Sequence, residues 1–133
     1  MVAGDACYLD ASALVKLVVT EAETRALRGL IGTYQRRVSS RLAGVELARA
    51  ISRRGIRAER SVARLLRDVD LVDIGEDILL EAARVGPPSL RTLDAIHLAT
   101  ALAVRDDLAA VVSYDRRLAE AALAAGLPVV SPT

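Results

Sequence analysis

A three-layer α/β/α architecture around a mostly parallel sheet of about five strands is the expectation for this chain of 133 residues. Three observations lead there. Short apolar runs with strand character alternate with longer runs whose apolar residues recur at helical spacing. Strands separated by helices pair in parallel and are covered on both faces. Hydrophobic residues make up 53% of the chain, enough for a full core of Ala, Leu and Val without disulfide or zinc support. Residues 1–133 are read as a single domain.

The elements follow in order. Cys7-Tyr8-Leu9 is a short buried strand, and Ser12 caps a helix through Ala13-Leu14-Val15-Lys16-Leu17-Val18. A second helix runs from Ala22 to Leu30, opened by Glu21 and Glu23 and closed near Gly29 or Gly32. Val38 centres the next strand, after which Ser39 and Ser40 cap a helix from about Arg41 to Arg54, ended by Gly55. Ala58 to Asp68 is helical, with Val62, Leu65, Leu66 and Val69 on its apolar face. Val69 to Ile74 alternates as a strand, and Glu76 to Val85 is a helix stopped by Gly86-Pro87-Pro88. Arg91 to Asp106 is the longest apolar helix. Ala109 to Tyr114 is a strand, Arg116 to Ala125 a helix closed by Gly126, and Val129-Val130 the last strand. The first four residues and the last few are expected to be loose.

Composition excludes several functions. Tyr8, Tyr34 and Tyr114 are the only aromatic residues, so a stacking platform for single-stranded nucleic acid is poorly supported. Cys7 is the only cysteine and His97 the only histidine, which excludes an intrachain disulfide, a multi-cysteine zinc site and any site needing two imidazoles. A bound metal must therefore take mostly oxygen ligands, which suits Mg²⁺ or Mn²⁺. The opening MVAGDACYLD lacks the basic region and apolar stretch of a signal peptide, and Lys16, Glu21 and Arg105 interrupt the longest apolar runs. A cytoplasmic protein is expected. The net charge of +1 conceals an Arg-rich stretch from residue 36 to 67, opposed there only by Glu46 and Glu59. That stretch faces either a polyanion, an acidic partner or simply solvent.

Four acids stand out: Asp10, Glu46, Asp94 and Asp115. Asp10 and Asp115 follow apolar strand runs, while Glu46 and Asp94 lie in otherwise apolar helical text. In a parallel sheet the ligand site lies beyond the carboxyl ends of the strands, where Asp10 and Asp115 fall. Charges in such places cost desolvation free energy unless they are paired. No Lys or Arg adjoins Asp10 or Asp94 in sequence, so a divalent cation is a natural partner. Carboxylates holding such a cation can neutralise a scissile phosphate and make a water more acidic. Taken singly, each acid has a plainer explanation: Asp115 reads most simply as a helix cap. Asp10 is harder to explain that way, because Ser12 already offers a cap.

The segments YLDASALVKL, VELARA, LDAIHLATAL and SYDRRLAEAA resemble, in order and spacing, the successive motifs of the PIN-domain family. More narrowly they resemble the VapC toxins of bacterial toxin–antitoxin pairs. The resemblance spans essentially the whole chain. It implies a metal-dependent endoribonuclease cutting structured transfer or ribosomal RNA in an exposed single-stranded loop, leaving 5′-phosphate and 3′-hydroxyl ends. It also implies a homodimer and a small VapB-type antitoxin partner. Carried over, Asp10, Asp94 and Asp115 would hold Mg²⁺ or Mn²⁺ directly or through water, and Glu46 would complete the pocket and orient a water. Ser12 and Ser113 match hydroxyl positions that could bond water or carboxylate. The acidic pattern is intact, and no organic cofactor site is read.

Other residues weigh less. His97 lies one turn after Asp94 and could approach the site, but packing or a bond within the helix layer is the simpler expectation. Cys7 is expected to be a buried small hydrophobe, Lys16 a solvated side chain, and Asp106 and Asp107 turn residues. Asp5 precedes the first strand and is excluded from the site. Arg116 and Arg117 could contact RNA phosphates. A phosphohydrolase with an aspartyl nucleophile, or a receiver-like signalling domain, would want an acidic partner near Asp10 and a late Lys. Ser12 stands two residues on, and no Lys follows Lys16. A catalytically silent PIN-like scaffold is the remaining alternative.

Overall fold

The computed structural model describes residues 4–133. Its strands are β1 (Ala6–Leu9), β2 (Arg36–Ser40), β3 (Asp70–Val72), β4 (Leu108–Val112) and β5 (Val129–Val130). Its helices are α1 (Ala11–Val18), α2 (Thr24–Ile31), α3 (Leu42–Arg53), α4 (Glu59–Arg67), α5 (Glu76–Ala82), α6 (Thr92–Ala103) and α7 (Arg116–Ala124). All pairings are parallel, and the strand order is β3-β2-β1-β4-β5. The expected three-layer architecture with five parallel strands is therefore the observed one.

The sheet sorts its side chains by the two-residue period of a strand. Ala6 and Tyr8 of β1 pack with Leu98, Ala101, Leu118 and Ala122 of α6 and α7. Cys7 and Leu9 pack on the opposite face with Leu14, Leu27, Leu47 and Ile51 of α1, α2 and α3. Burying β1 on both faces is what places Asp10, the next residue, inside the molecule. Truncating a buried anchor such as Leu47 to Ala costs about 2–5 kcal/mol.

The strand order carries a consequence for function. The chain builds outward from β1 to β3, then returns to add β4 and β5 on the other side. β1 and β4 thus flank the point where the direction of winding reverses, and in open sheets of this kind a ligand site is expected beyond the carboxyl ends of those strands. Leu9 pairs with Val112, so Asp10 and Ser113 leave the sheet side by side.

Several local expectations are corrected. Ser12 does not cap α1; it lies inside the first turn, and Asp10 is the cap. Ser39 belongs to β2 and donates its hydroxyl to the Leu9 carbonyl. Ser40, also in β2, accepts from Leu42 N at 3.1 Å and so does serve the start of α3. The helix after Pro88 ends at Ala103, and Arg105–Asp107 form a separate 3₁₀ turn. The carboxyl-terminal residues are tied down: Tyr114 Oη donates to the Pro132 carbonyl at 2.6 Å. Of the residues expected to be loose at the start, residues 1–3 lie outside those described. Among the described residues, no helix is long and apolar enough to cross a membrane.

Candidate active site

Asp10 sits where β1 turns into α1 and is 3% exposed. Its Oδ1 accepts from Ala13 N at 3.0 Å and from Ser12 Oγ at 2.6 Å. Its Oδ2 accepts from Ser113 Oγ at 2.6 Å. Burial pushes its carboxyl above the usual range, and the Ser113 and Ser12 hydroxyls oppose that only in part. Ser12 also accepts from Tyr114 N at 2.8 Å, and Ser113 from Asp115 N at 3.1 Å. Two hydroxyls therefore lock the end of β1 to the segment that follows β4.

Asp115 caps α7: its Oδ1 accepts from Arg117 N at 2.9 Å and from Leu118 N at 3.2 Å. The plain reading of Asp115 as a cap is correct, and the cap fixes its carboxylate beyond the carboxyl end of β4. Asp94 lies in the first turn of α6 and is half-buried. Burial raises its carboxyl most, and the Asp115 charge adds to this; Asp10 and Glu46 contribute in the same direction, against His97. Asp94 therefore feels the negative charge of the other three acids.

Glu46 projects from α3, and His97 from α6 meets it with Nε2 at 2.6 Å from Oε1. The other ring nitrogen, Nδ1, lies 2.7 Å from Tyr8 Oη. His97 was expected to bond within its own layer. It instead joins α6 to α3, on the opposite face of the sheet, and to β1. Its position one turn after Asp94 was the only clue to this in the sequence.

None of Asp10, Glu46, Asp94 and Asp115 forms an ion pair with Lys or Arg among the described residues. The donors are all oxygens, the set that Mg²⁺ and Mn²⁺ prefer. The buried Asp10 carboxylate has hydrogen-bond donors but no cationic partner among the described residues, a negative charge that a divalent cation would offset. By donor chemistry the residues present suit such an ion. Among the described residues, however, no three His, Cys, Asp or Glu side chains converge closely enough to chelate one as they stand. An ion here would complete its shell with water, as Mg²⁺ commonly does.

Beside Glu46 runs a cleft of about 380 Å³, lined also by Ser12, Val45, Arg49, Arg53 and Leu93; of the four acids only Glu46 lines it. A larger cavity of about 840 Å³ lies between α3 and α4 and is lined by none of the four acids. Its size does not make it the site of chemistry, because it lacks their charges. Arg49 and Arg53 share a helix face with Glu46, a selection from the Arg-rich stretch that charge alone did not reveal.

Other candidates are absorbed elsewhere. Asp5 pairs with Arg36 at 3.0 Å, and Asp107 lies 3.7 Å from the same guanidinium. Lys16 is not simply solvated: it pairs with Glu23 at 2.9 Å and sits 4.7 Å from the centre of the Tyr114 ring. Burial pushes the Cys7 thiol up to about 11, which leaves it a packing residue and no nucleophile. Arg116 is paired with Glu120 at 3.0 Å.

The family model described as PIN domain matches residues 7–123. This chain belongs to the PIN-domain family. Within it, this PIN-domain chain is 44% identical over 128 residues to ribonuclease VapC46 of Mycobacterium tuberculosis, covering 96% of this chain and 98% of that one. It is 38% identical over 130 residues to ribonuclease VapC47 of the same species, with coverages of 94% and 96%. These relatives make it a VapC-type PIN-domain ribonuclease. Among solved structures, M. tuberculosis VapC20, a sarcin-ricin loop cleaving toxin, shares the fold with a TM-score of 0.74 at 21% identity, over 95% of this chain and 99% of that one. A toxin–antitoxin complex from Klebsiella pneumoniae matches with a TM-score of 0.72 at 21% identity, over 96% and 98%.

Proposed function

We propose that residues 1–133 form one nuclease domain acting as the toxin of a VapBC-type pair. It is a Mg²⁺- or Mn²⁺-dependent endoribonuclease that cuts structured RNA, such as transfer or ribosomal RNA, in an exposed single-stranded loop. What supports this reading is that Asp10 and Asp115 follow the neighbouring strands β1 and β4, that Asp94 feels the charges of Asp115, Asp10 and Glu46, and that none of the four pairs with Lys or Arg among the described residues.

Asp10, Asp94 and Asp115 would hold the divalent cation, which supplies charge neutralisation at the scissile phosphate and a more acidic water. The protein's own part is positional. Ser12 and Ser113 fix both oxygens of Asp10. The α7 cap fixes Asp115. Glu46 orients the attacking water and accepts its proton. Arg49 and Arg53, on the cleft that Glu46 lines, take up flanking phosphates.

The partner assignments belong to the same proposal. A small VapB-type antitoxin restrains the enzyme in the cytoplasm. Leu79, Leu80 and Leu93 form an exposed apolar set on α5 and α6, which supports self-association into a homodimer. A second reading, a catalytically silent scaffold, is favoured by the lack of three converging ligands among the described residues.

One assay separates the readings. The purified chain is incubated with total cellular RNA, with Mg²⁺, Mn²⁺ or EDTA, and new 5′ ends are mapped. Discrete cuts that vanish in EDTA and in Asp10→Ala and Asp94→Ala are expected. RNA left whole in both metals favours the scaffold, and cutting that survives EDTA ends the metal assignment. Co-expression with a short reading frame upstream tests the antitoxin.

A further inference from the structure

Glu46 has a mechanical problem. It projects from α3 between the exposed side chains of Val45 and Arg49, on a flexible stem. A carboxylate so placed samples several rotamers, and a group that must aim at one water works only when held. The solution lies behind it. His97 is 2% exposed and Tyr8 is fully buried, and neither ring can move without disturbing the core. The two rings meet edge to face, with centroids 5.8 Å apart and planes at 79°.

The neighbouring groups suit one direction for these hydrogen bonds. Ser39 and Thr100 flank the phenol, and both donate to backbone carbonyls, those of Leu9 and Ile96. The Tyr8 hydroxyl is then free to donate to His97 Nδ1. Nε2–H in turn donates to Glu46 Oε1. A neutral ring with its proton on Nε2 satisfies every partner in the chain. Strand β1 thus grips a side chain of α3 through α6, across the carboxyl edge of the sheet. The same strand delivers Asp10 two residues later, and the same helix delivers Asp94 three residues earlier.

We infer that His97 and Tyr8 are positioning residues that fix the Glu46 carboxylate relative to Asp10 and Asp94. The inference rests on the reading of Glu46 as the group that handles the attacking water. A histidine present only to fill the core would end its bonds on backbone or on another buried group. This one ends on a carboxylate that lines the cleft, and no described residue other than His97 bonds that carboxylate.

The test uses the full chain with Mg²⁺ and a fluorogenic RNA oligonucleotide, selected from a random-sequence pool for cleavage by the wild-type protein. His97→Gln keeps a donor near the Nε2 position, whereas His97→Asn cannot reach Glu46. Tyr8→Phe removes only the hydroxyl. Expected are kcat losses of roughly 10- to 100-fold in His97→Asn and Tyr8→Phe, with KM unchanged, and recovery of most of that loss in His97→Gln. Wild-type kcat in His97→Asn overturns the inference. So does a loss in all three variants that simply follows their melting temperatures, because that pattern means packing alone. Glu46→Ala separates the two layers of the argument. Full activity there removes Glu46 from the mechanism, whereas an inactive Glu46→Ala beside a fully active His97→Asn leaves Glu46 in place and removes only its support.

Discussion

The Ser113 hydroxyl donates to Asp10 Oδ2 at 2.6 Å, joining residues 103 positions apart in the chain. The bond exists because β1 and β4 are neighbours whose ends pair at Leu9 and Val112. Bonds to an ionised acceptor are roughly twice as strong as neutral ones. Even so, the bond does not offset the burial of Asp10, whose carboxyl remains above its usual range. The fold therefore holds the Asp10 carboxylate buried with only partial compensation.

Replacing that charge should stabilise the metal-free protein. Asp10→Asn removes the desolvated carboxylate and keeps the shape. A gain of about 1–3 kcal/mol follows, or a rise of ~3–10 °C in melting temperature for a domain of this size. Thermal unfolding in EDTA at neutral pH measures it. The variant should also lose cleavage, the usual opposition between a strained site and stability. A lower melting temperature than wild type would contradict the reading of Asp10 as an uncompensated buried charge.

The same two aspartates set a pH dependence. Asp10 and Asp94 are both raised above the ordinary aspartate value of 3.8, chiefly by burial. The folded state then binds protons at pH values where the unfolded chain has released them, and stability rises as pH falls. Their contribution is fully present below 3.8 and is lost as pH rises through the raised folded values. Melting curves in EDTA should show this gain on acidification from neutral pH, with a weaker slope in Asp10→Asn. Saturating Mg²⁺ should oppose it, raising the neutral-pH stability by about 2.7 kcal/mol at one hundred times its dissociation constant.

Asp115 has two roles that mutation can separate. Its carboxylate caps α7 through Arg117 N and Leu118 N, and its charge acts on Asp94. Serine caps a helix about as well as aspartate but carries no charge. Asp115→Ser should hold stability within about 0.5 kcal/mol, whereas Asp115→Ala should lose ~1 kcal/mol. Both should lose cleavage and need more Mg²⁺ for what remains. If Asp115→Ser cleaves normally, the residue is a cap and nothing more.

How far the sequence disclosed this arrangement depends on the range of each interaction. Alternating strands and helices were legible because periodicity and Gly or Pro stops are local: Gly55, Gly86 and Gly126 all adopt positive φ just past helix ends. Asp10 and Asp94 stood out because charge in apolar text is also local. Caps were harder, since Asp10, Ser12, Ser39 and Ser40 are all chemically able to cap. Which of them does so depends on where the strand ends, and that is set by pairing with the neighbouring strands, β4 for β1 and β3 for β2. The Tyr8–His97–Glu46 chain was out of reach: its bonds span separations of 89 and 51 residues. The Arg-rich stretch was visible as charge, but only the rotation of α3 on the sheet decides which of its arginines line the cleft with Glu46.

That rotation yields the last prediction. Arg49 and Arg53 line the cleft with Glu46 and Ser12, whereas Arg36 is held at the opposite end of the sheet by Asp5. If the cleft carries the RNA backbone, each arginine neutralises about one phosphate. The affinity of single strands then falls with salt at a slope of ≈ 0.7 per contact. Replacing both Arg49 and Arg53 by Gln should reduce that slope by ~1.4 and weaken all RNA sequences alike, because phosphate contacts carry no base identity. Arg36→Gln should leave the slope as it is. Binding isotherms of catalytically inactive Asp94→Ala against a labelled oligonucleotide, repeated at several salt concentrations, read this directly. An unchanged slope in the double variant would place the RNA on another face of the molecule, and the cleft would then be no part of its path.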